Sequence, residues 1–374
     1  MKKKILLSSN SYWNFFNFRR ELIKKLIELK FEVHLAAPFD KNLFFFKKKG
    51  CFCHTLNFSR EKKGVIDSIK LIINYYSLIK SINPFFYLPF TIKPNIFGSL
   101  VCSFFKVITI NNITGLGSGF LNSFFLKYLI IFFYKIALKK SKVIFFQNNN
   151  DKFIFEKKKI INNKKHLSFV LPGSGIDMNY FKLNIKKRRQ KINFLYAGRL
   201  IKDKGIYELF EAIKAIKIKY KNLNFIIVGD IDNNNLFPLN KKLLKYMKVN
   251  KLINHYKFTD KILRFYKQAD CFILPSYREG LSRSLLEAAS CSLPLISTNV
   301  PGCKELVKSS YNGFLCPPKN YKGIVKCIEK FINLSHHEVK KFGLNSRKLV
   351  RSKYSINKVI NIYVQQINRL SQKN

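Results

Sequence analysis

The chain has 374 residues, of which 47% are hydrophobic, and a formal net charge of +48 at pH 7. This length and composition predict a globular protein of two domains, each able to bury its own core, and they exclude a disordered or fibrous chain. So basic a surface attracts anionic lipids, nucleic acids and phosphorylated substrates, although A+T-rich coding DNA produces the same lysine excess. The sequence has no helix-turn-helix, zinc or aromatic RNA-binding motif, which disfavours nucleic-acid binding.

The predicted elements alternate between strands and helices. In the first half, strands are predicted at residues 5–8, 33–36, 51–56, 85–90, 107–113, 143–146 and 166–171, and helices at 15–29, 64–82 and 96–105. In the second half, strands are predicted at 192–197, 224–228, 271–274, 293–297 and 312–316, and helices at 205–219, 262–268, 284–290 and 356–370. This alternation predicts an α/β protein with a parallel, doubly wound sheet in each half. The polar, basic stretch at 172–190 predicts a linker, so we divide the chain into domains 1–180 and 181–355.

An apolar run at residues 120–138 is interrupted by Lys127 and Lys135. A membrane span needs about 20 mainly apolar residues, whereas these lysines lie eight residues apart on one helical face. The run therefore predicts an amphipathic helix, either packed on the sheet or lying partly in a lipid interface. The N-terminal apolar run, residues 5–7, is too short for a signal peptide and is predicted to be the first strand. The eight cysteines include no C-x-x-C and are predicted to be free, buried thiols of a reducing compartment.

Two stretches combine strand ends with charged side chains. Glu279 lies in the turn after strand 271–274, and Glu287 lies eight residues later in the next helix. Arg199 and Lys204 follow strand 192–197, close to the start of another helix. In open α/β sheets, ligands bind outside the carboxyl ends of the strands. A helix amino terminus with two nearby cations favours a phosphate group.

The spacing Glu279-x7-Glu287, within LPSYREGLSRSLLEA, resembles the acidic signature of retaining, nucleotide-sugar-dependent glycosyltransferases of family 4. The segment GRL-x3-KG at 198–205 is similar to a second motif of these enzymes. The resemblance implies the GT-B fold, with two Rossmann-like doubly wound domains facing a cleft and a final helix, residues 356–374, that returns to the first domain. It also implies a UDP-sugar as substrate and no metal or other cofactor.

The resemblance implies roles for individual residues. Arg199 and Lys204 would neutralise the donor diphosphate, and Glu279 would contact the donor sugar near its reacting carbon. Glu287 would bind the ribose hydroxyls. The remaining donor-binding positions are Gly198 in the turn and the backbone N–H groups of Gly280, Leu281 and Ser282. Retaining enzymes of this type are usually drawn with a same-face mechanism, and Glu279 as a covalent nucleophile is the alternative.

Two segments of the first domain, TIKPNIFG at 91–98 and NITGLGSGF at 112–120, resemble those of family members that extend lipid-linked sugars. The resemblance makes Gly115 and Gly117 a candidate acceptor loop. Cations of the first domain are either ligands of the acceptor's diphosphate or surface charges; they are Arg19, Arg20, Arg60 and Lys93. Many relatives have a histidine here that contacts the donor sugar, but His34 and His54 are predicted to belong to the core.

The resemblance implies transfer of an N-acetylhexosamine or hexose, with retention, from a UDP-sugar to a lipid-diphosphate-linked saccharide for surface polysaccharide synthesis. It also implies a peripheral protein at the cytoplasmic face of the cell membrane. Two alternatives are a UDP-sugar epimerase of the same fold and a non-catalytic, basic membrane-binding scaffold. Asp230-Ile-Asp232 resembles a D-x-D metal motif, but it is predicted to be a strand end and turn, because GT-B enzymes use cationic side chains instead of a metal.

Overall fold

The computed structural model describes residues 2–58, 64–116, 124–162, 164–182 and 191–372. Its Cα positions form two compact units. The first unit comprises Met1–Ser174 and Asn357–Asn374, and the second comprises Gly175–Ile356. The chain passes from one to the other at Ser174 and Gly175, a few residues before the boundary that we drew from the basic linker.

The first unit is built on a sheet of seven parallel strands in the order β3-β2-β1-β4-β5-β6-β7. Its strands are β1 (Lys4–Ser8), β2 (Glu32–Ala37), β3 (Phe52–Thr55), β4 (Phe86–Pro89), β5 (Ile108–Ile113), β6 (Val143–Phe146) and β7 (Leu167–Val170). Its helices up to β7 are α1 (Tyr12–Phe18), α2 (Arg20–Glu28), α3 (Leu43–Lys48), α4 (Val65–Ile82), α5 (Ser99–Cys102), α6 (Phe124–Ala137) and α7 (Asn149–Lys157). Strands β4, β5 and β6 are buried along their whole length, as expected for a parallel sheet covered on both faces.

The second unit has a sheet of six parallel strands in the order β10-β9-β8-β11-β12-β13. Its strands are β8 (Ile192–Ala197), β9 (Leu223–Val228), β10 (Asn254–Tyr256), β11 (Cys271–Leu274), β12 (Leu295–Thr298) and β13 (Gly313–Cys316). Its helices are α8 (Ile206–Lys219), α9 (Lys241–Val249), α10 (Leu263–Gln268), α11 (Arg283–Ser290), α12 (Tyr321–Ile332) and α13 (His336–Lys353). The predicted α/β class with two doubly wound parallel sheets is confirmed.

Several helices differ from the prediction for local reasons. The helix predicted at 15–29 is two helices, because the chain leaves helical geometry at Arg19, where φ is −131° and ψ is 0°. We predicted a polar loop at 147–150, but Asn148 accepts a hydrogen bond from the Asp151 N–H at 2.7 Å and so caps α7. Neither α3 nor α9 was predicted, since both are short, at six and nine residues.

The helix predicted at 96–105 begins as a π-helical turn over Pro94–Gly98 and continues as α5. A Cβ on Gly98 would lie 1.8 Å from the Tyr87 hydroxyl oxygen, so only glycine allows the turn to pack this closely on β4. The Asn95 side chain donates to the carbonyl oxygens of Thr91 and Asn112, at 2.8 and 2.9 Å. The turn therefore links the carboxyl ends of β4 and β5.

The last helix, α14 (Ile356–Gln372), belongs to the first unit from Asn357 onward. The Tyr363 ring lies 4.8 Å from that of Phe145 in β6, and its hydroxyl donates to Asn112 Oδ1. A chain end that follows the second unit thus completes the first unit, as the resemblance implied.

Two further expectations concern membranes and thiols. Within the ranges that the structure describes, no helix is both long and apolar enough to cross a bilayer. The run at 120–138 forms α6 from Phe124, and residues 120–123 lie outside the described residues. All eight cysteines are free, and all but Cys53 are buried.

Candidate functional site

The candidate site of the second unit lies at the carboxyl ends of β8 and β11. These two strands are neighbours in the sheet, and the strand order reverses between them. In an open α/β sheet this reversal is the point where ligands bind. The chain leaves β8 through Gly198 and Arg199, and it leaves β11 through the turn that contains Glu279.

Lys204 and Glu279 come together at this point, although 75 residues separate them in sequence. Lys204 lies in a short 3₁₀ turn, Lys202–Lys204, directly before α8, and its Nζ donates to Glu279 Oε1. The Ser276 hydroxyl donates to the same carboxylate oxygen at 2.7 Å. Both ionised side chains are largely buried. The carboxylate is therefore oriented by a cation and a hydroxyl group.

Two glycines allow the turns to approach each other. Gly302 has φ of +82°, and a Cβ there would lie 2.5 Å from Glu279 Cβ. Gly205 has φ of +68°, and a Cβ there would lie 2.0 Å from the carbonyl oxygen of Pro275. The backbone N–H of Glu279 donates to the Pro301 carbonyl at 3.0 Å. Positive φ and close backbone contact both require glycine at 205 and 302.

Arg199 follows β8 and is half exposed. Its Nη1 donates to Asp232 Oδ2 at 2.7 Å, and its side chain is 49% exposed. Burial raises the pKa of Tyr196; the Glu279 carboxylate adds to this shift and the Arg199 guanidinium opposes it. Arg199 and Glu279 are thus both within electrostatic reach of one phenol. Asp232, part of the D-x-D-like segment, serves here as the partner of an arginine.

Glu287 lies in α11 and has its own partners. Arg283 Nε donates to Glu287 Oε1 at 2.9 Å, and the Tyr266 hydroxyl donates to Oε2 at 3.0 Å. Arg283 also donates through Nη1 to the Gly175 carbonyl at 2.6 Å. Burial and the nearby Glu287 raise the pKa of Tyr266, so this phenol keeps its proton and remains a donor.

The turn between Glu279 and α11 was predicted to offer three backbone donors. Gly280 and Leu281 are both partly buried in this turn. The N–H of Ser282 instead donates to the Gly302 carbonyl at 3.0 Å, and its hydroxyl caps α11 by accepting from the Leu285 N–H. In this structure Ser282 therefore closes the turn and starts the helix, because helix-terminal N–H groups need an acceptor.

The candidate acceptor residues lie in the first unit. Arg19 is only 3% exposed, with its guanidinium carbon 4.3 Å above the Phe90 ring, so it is neither a surface charge nor open to solvent. Lys93 is partly buried, and burial lowers its pKa while the Asp67 carboxylate opposes the shift. Gly115 follows β5 with φ of +138°. Gly117 lies outside the described residues.

The other residues singled out in this unit have different surroundings. Arg20 forms an ion pair with Glu21 at 3.0 Å, and Arg60 lies outside the described residues. His34 Nδ1 and His54 Nε2 are 3.0 Å apart, and His34 Nε2 lies 2.9 Å from a Glu32 carboxylate oxygen. Both histidines lie on the predicted strands, but only His34 is buried, as predicted; His54, on the edge strand β3, is partly exposed.

Sequence reasoning missed several partners in this site. Ser276 precedes Glu279 by three residues and Arg283 precedes Glu287 by four, and the latter spacing on a helix is a usable signal for an ion pair. No local signal links Tyr266 to Glu287 or Asp232 to Arg199, because each pair joins separate elements. Among the residues that the structure describes, no group of three or more His, Cys, Asp or Glu side chains could bind a metal ion.

Comparison with known proteins places these motifs in one family. The model of group 1 glycosyl transferases matches residues 179–349, and the model of 4-like glycosyl transferases matches residues 4–148. The first match contains Arg199, Lys204, Glu279 and Glu287. The predicted resemblance is confirmed.

Curated relatives include enzymes of polysaccharide and glycan synthesis. The chain is 26% identical over 354 residues, 89% of either chain, to the N,N'-diacetylbacillosaminyl-diphospho-undecaprenol α-1,3-N-acetylgalactosaminyltransferase of Campylobacter jejuni. It is 31% identical over 190 residues to the capsular polysaccharide biosynthesis glycosyltransferase CapM of Staphylococcus aureus. That second alignment spans about half the length of CapM, namely 49%.

Solved structures show the fold. Sucrose-phosphate synthase from Thermosynechococcus elongatus superimposes with a TM-score of 0.83 at 15% identity, covering 100% of both chains. HepE from Anabaena, in complex with UDP and glucose, superimposes with a TM-score of 0.78 at 14% identity, covering 98% of this chain and 99% of its own. The predicted GT-B fold is confirmed.

Proposed function

Since this chain belongs to the group 1, 4-like glycosyltransferases, we propose that it moves a sugar from a UDP-sugar to a lipid-diphosphate-linked saccharide and retains the anomeric configuration. The sugar is an N-acetylhexosamine or a hexose. The product serves surface polysaccharide synthesis, and the enzyme works at the cytoplasmic face of the membrane. The reaction needs no bound metal or other cofactor.

One observation carries the proposal: Lys204 meets Glu279 at the switch point of the second sheet, beside the start of α8. The N-terminal N–H groups of a helix and a lysine favour a phosphate, and Arg199 adds a second cation at the same strand edge. Glu279 prevents Lys204 from extending into solvent. The diphosphate of the donor would thus meet two cations that are already in place, which lowers the reorganisation that catalysis requires.

Catalysis follows from charge development on the leaving group. As the bond between the anomeric carbon and the diphosphate oxygen breaks, negative charge grows on that diphosphate. Lys204 and Arg199 stabilise this charge. The acceptor hydroxyl oxygen bonds to the anomeric carbon from the same face, and its proton passes to the departing phosphate oxygen. Glu279 binds sugar hydroxyls and orients the ring.

Glu287 completes donor binding by accepting hydrogen bonds from the ribose hydroxyls. Its carboxylate is fixed by Arg283 and Tyr266, which occupy one oxygen each. A carboxylate oxygen can accept more than one hydrogen bond, so both oxygens retain acceptor capacity for a diol. A fixed carboxylate binds with less loss of side-chain entropy than a mobile one.

The acceptor assignment rests on a relative and on first-unit residues. The Campylobacter jejuni relative, which covers 89% of this chain, is named for a diphospho-undecaprenol substrate. Lys93 and Gly115 follow β4 and β5, two neighbouring strands whose carboxyl ends lie at the same edge of the first sheet. A cation and a glycine turn at that edge suit a phosphate-bearing acceptor.

The test measures sugar transfer by purified protein, with a panel of UDP-sugars and a short lipid-diphosphate sugar, by mass spectrometry. Glu279→Gln and Lys204→Ala should each lower turnover by at least about 10²-fold, in line with the loss of one group that stabilises transition-state charge. Glu211→Gln and Lys214→Ala are matched controls, because that pair has the same residue types but lies on α8 and is more exposed than Lys204 and Glu279. Circular dichroism and thermal melting confirm that each variant is folded.

Three results would contradict the proposal. The first is wild-type turnover by either site variant. The second is consumption of the UDP-sugar without an acceptor, which indicates an epimerase. The third is failure to bind any nucleotide in calorimetry, which indicates a scaffold.

A further inference from the structure

Helix α4 has large apolar side chains on its exposed side as well as on its buried side. Leu71, Tyr75 and Ile79 are buried beneath it in the first unit. Its exposed side includes four large apolar side chains at intervals of three and four residues, Ile66, Ile69, Ile73 and Tyr76. Exposed polar and charged side chains flank them, namely Lys70, Asn74, Ser77, Lys80 and Ser81. Ile66 is 69% exposed and Ile73 is 56% exposed. An ordinary surface helix is polar on its outward side, so this face is built to meet something other than water.

Helix α6 repeats the arrangement. Ile131 and Tyr134 are buried, whereas the outward side carries Tyr128, Phe132 and Ile136 at four-residue intervals. Phe132 is 56% exposed. Phe104, in the turn after α5, is 75% exposed.

These features are neighbours on one side of the first sheet. Both α4 and α6 pack against the π-helical turn at Pro94–Gly98 and against α5. Tyr76 of α4 lies against Phe105, with ring centroids 5.4 Å apart. We call the outward faces of α4 and α6, together with Phe104, the docking face.

The charge around the docking face has one sign. Segments 64–82, 99–107 and 124–142 together contain eight lysines and a single acidic residue, Asp67. Three of the lysines, Lys106, Lys140 and Lys142, line a cavity of about 400 Å³ beside Phe105. The Lys140 ammonium donates to the Ser103 carbonyl at 2.7 Å, which turns it toward the Phe104 turn.

We propose that the docking face binds an anionic lipid bilayer, with α4 and α6 lying along its surface. Phe104 enters the boundary between headgroups and acyl chains, and the lysine-lined cavity receives a lipid phosphate. An interfacial helix combines a large apolar face with flanking lysines in this way, and the lysine stems cover apolar surface while their charges reach the headgroups. A second copy of the chain is a poorer partner than a membrane. With eight lysines and one acidic residue, the segments around the docking face carry seven net positive charges, and two copies would bring these like charges together.

The proposal does not depend on the reaction assigned above, so the experiment measures binding alone. The probe is a vesicle with 30% phosphatidylglycerol in phosphatidylcholine, against pure phosphatidylcholine, read by co-sedimentation. The wild type should bind the anionic vesicle and release it as salt rises, since surface electrostatics are screened. At about fivefold per lysine, removing three lysines should weaken binding on the order of 100-fold.

Each variant has a control of the same chemistry in the second unit. The lysine variant replaces Lys106, Lys140 and Lys142 by Ala, and its control replaces Lys241, Lys242 and Lys245, which are exposed on α9. The apolar variant replaces Ile69, Ile73 and Phe132 by Ser, and its control replaces Ile218, Val249 and Leu344, which are also exposed. The two docking-face variants should lose at least tenfold in binding, while both controls stay within twofold of the wild type.

A fluorescence measurement reports insertion. Phe104→Trp in a Trp13→Phe background has a single tryptophan, which brominated lipids should quench; Ile218→Trp in the same background should not be quenched. Equal losses by the lysine variant and its control would mean that only net charge matters and would overturn the proposal. An apolar variant that binds like the wild type would also overturn it, as would sedimentation showing that this variant dissociates a dimer.

Sugar transfer to a water-soluble acceptor separates the two proposals. It should be unchanged in the docking-face variants if they fail only in vesicle binding. If the wild type binds vesicles through this face but transfers no sugar, the proposed function fails and the docking face remains.

Discussion

Glu279 reaches Lys204 because Gly302, the residue that packs against Glu279, has no side chain. A methyl group on Gly302 would lie 2.5 Å from both Glu279 Cβ and its carbonyl oxygen. No rotamer change relieves a clash with backbone, so the whole turn would have to move. The geometry of the candidate site thus depends on a residue with no functional group.

Gly302→Ala should lower the free energy of unfolding by roughly 3 kcal/mol, since positive φ costs an L-residue about 1–2 kcal/mol and the clash adds to that. Gly50→Ala is the matched control: Gly50 has the same φ of +82°, but no atom lies within 4 Å of the added Cβ. Gly50→Ala should therefore lose only the free energy that positive φ costs an L-residue, about 1 kcal/mol. Urea denaturation measures both; equal losses would mean that the contact with Glu279 imposes no strain.

His54 should make stability depend on pH. Burial, with His34 nearby, lowers the pKa of His54 from 6.5 to about 4. Below pH 6.5 the unfolded chain binds a proton there that the folded chain does not, so the free energy of unfolding decreases as pH falls from 6.5 to 4. A shift of this size in a fully buried group would correspond to about 3 kcal/mol, and solvent screening of the partly exposed His54 should reduce the loss to about 1–2 kcal/mol.

The measurement compares urea denaturation of the wild type and His54→Gln from pH 7.5 to pH 4. The wild type should lose more stability than the variant over this range. Identical profiles would show that His54 titrates alike in the folded and unfolded chains.

At the scale of elements, a buried network of amides joins the strand ends of the first unit. Asn111 Nδ2 donates to Asn95 Oδ1 at 3.0 Å and to the Ser99 hydroxyl at 2.7 Å, and the Ser141 hydroxyl donates to Asn111 Oδ1 at 2.7 Å. Tyr363 extends this network to α14 through Asn112. Buried amides stabilise a structure only when their partners are present, so the network fixes where α14 docks.

Tyr363→Phe should lower the free energy of unfolding by about 1–3 kcal/mol, because Asn112 Oδ1 loses its donor in a buried site. Tyr246→Phe is the control, since Tyr246 is half exposed on α9 and should change stability by less than about 0.5 kcal/mol. Chemical denaturation of both variants provides the measurement. A neutral Tyr363→Phe would show that the hydrogen bond contributes nothing to docking of α14.

At the scale of the whole molecule, the chain builds the first sheet, then the second unit, and then returns to the first. The core of the first unit is therefore complete only when its last residues are in place. Phe145 in β6, whose ring Tyr363 covers, depends on this return.

Truncation of residues 357–374 should destabilise the first unit alone. Hydrogen exchange in β5 and β6 should become faster, since Phe145 and Asn112 lose their partners, while β8 and β11 keep their protection. Peptide-resolved mass spectrometry distinguishes the two units. Faster exchange in β8 and β11 with unchanged β5 and β6 would contradict this dependence.

The sequence by itself determined the α/β class, most of the strands and the four charged residues of the family motifs. It could do so because strands of a parallel sheet are short apolar runs, and because Glu279 and Glu287 lie within one strand-turn-helix segment. The predictions from sequence failed at local features. The break between α1 and α2 at Arg19 does not interrupt the apolar spacing, so the sequence predicted one continuous helix. Asn148 caps α7 but lies in a polar stretch that was predicted to be a loop.

Only the tertiary structure decided which side chains meet. The contact of Lys204 with Glu279 spans 75 residues, and the pairing of Arg199 with Asp232 spans 33. Strand order determines such contacts, and an amino-acid pattern specifies that a strand exists without specifying its neighbour. The same holds for the apolar residues of α4, because packing decided that Leu71 and Tyr75 are buried while Ile69 and Ile73 are exposed.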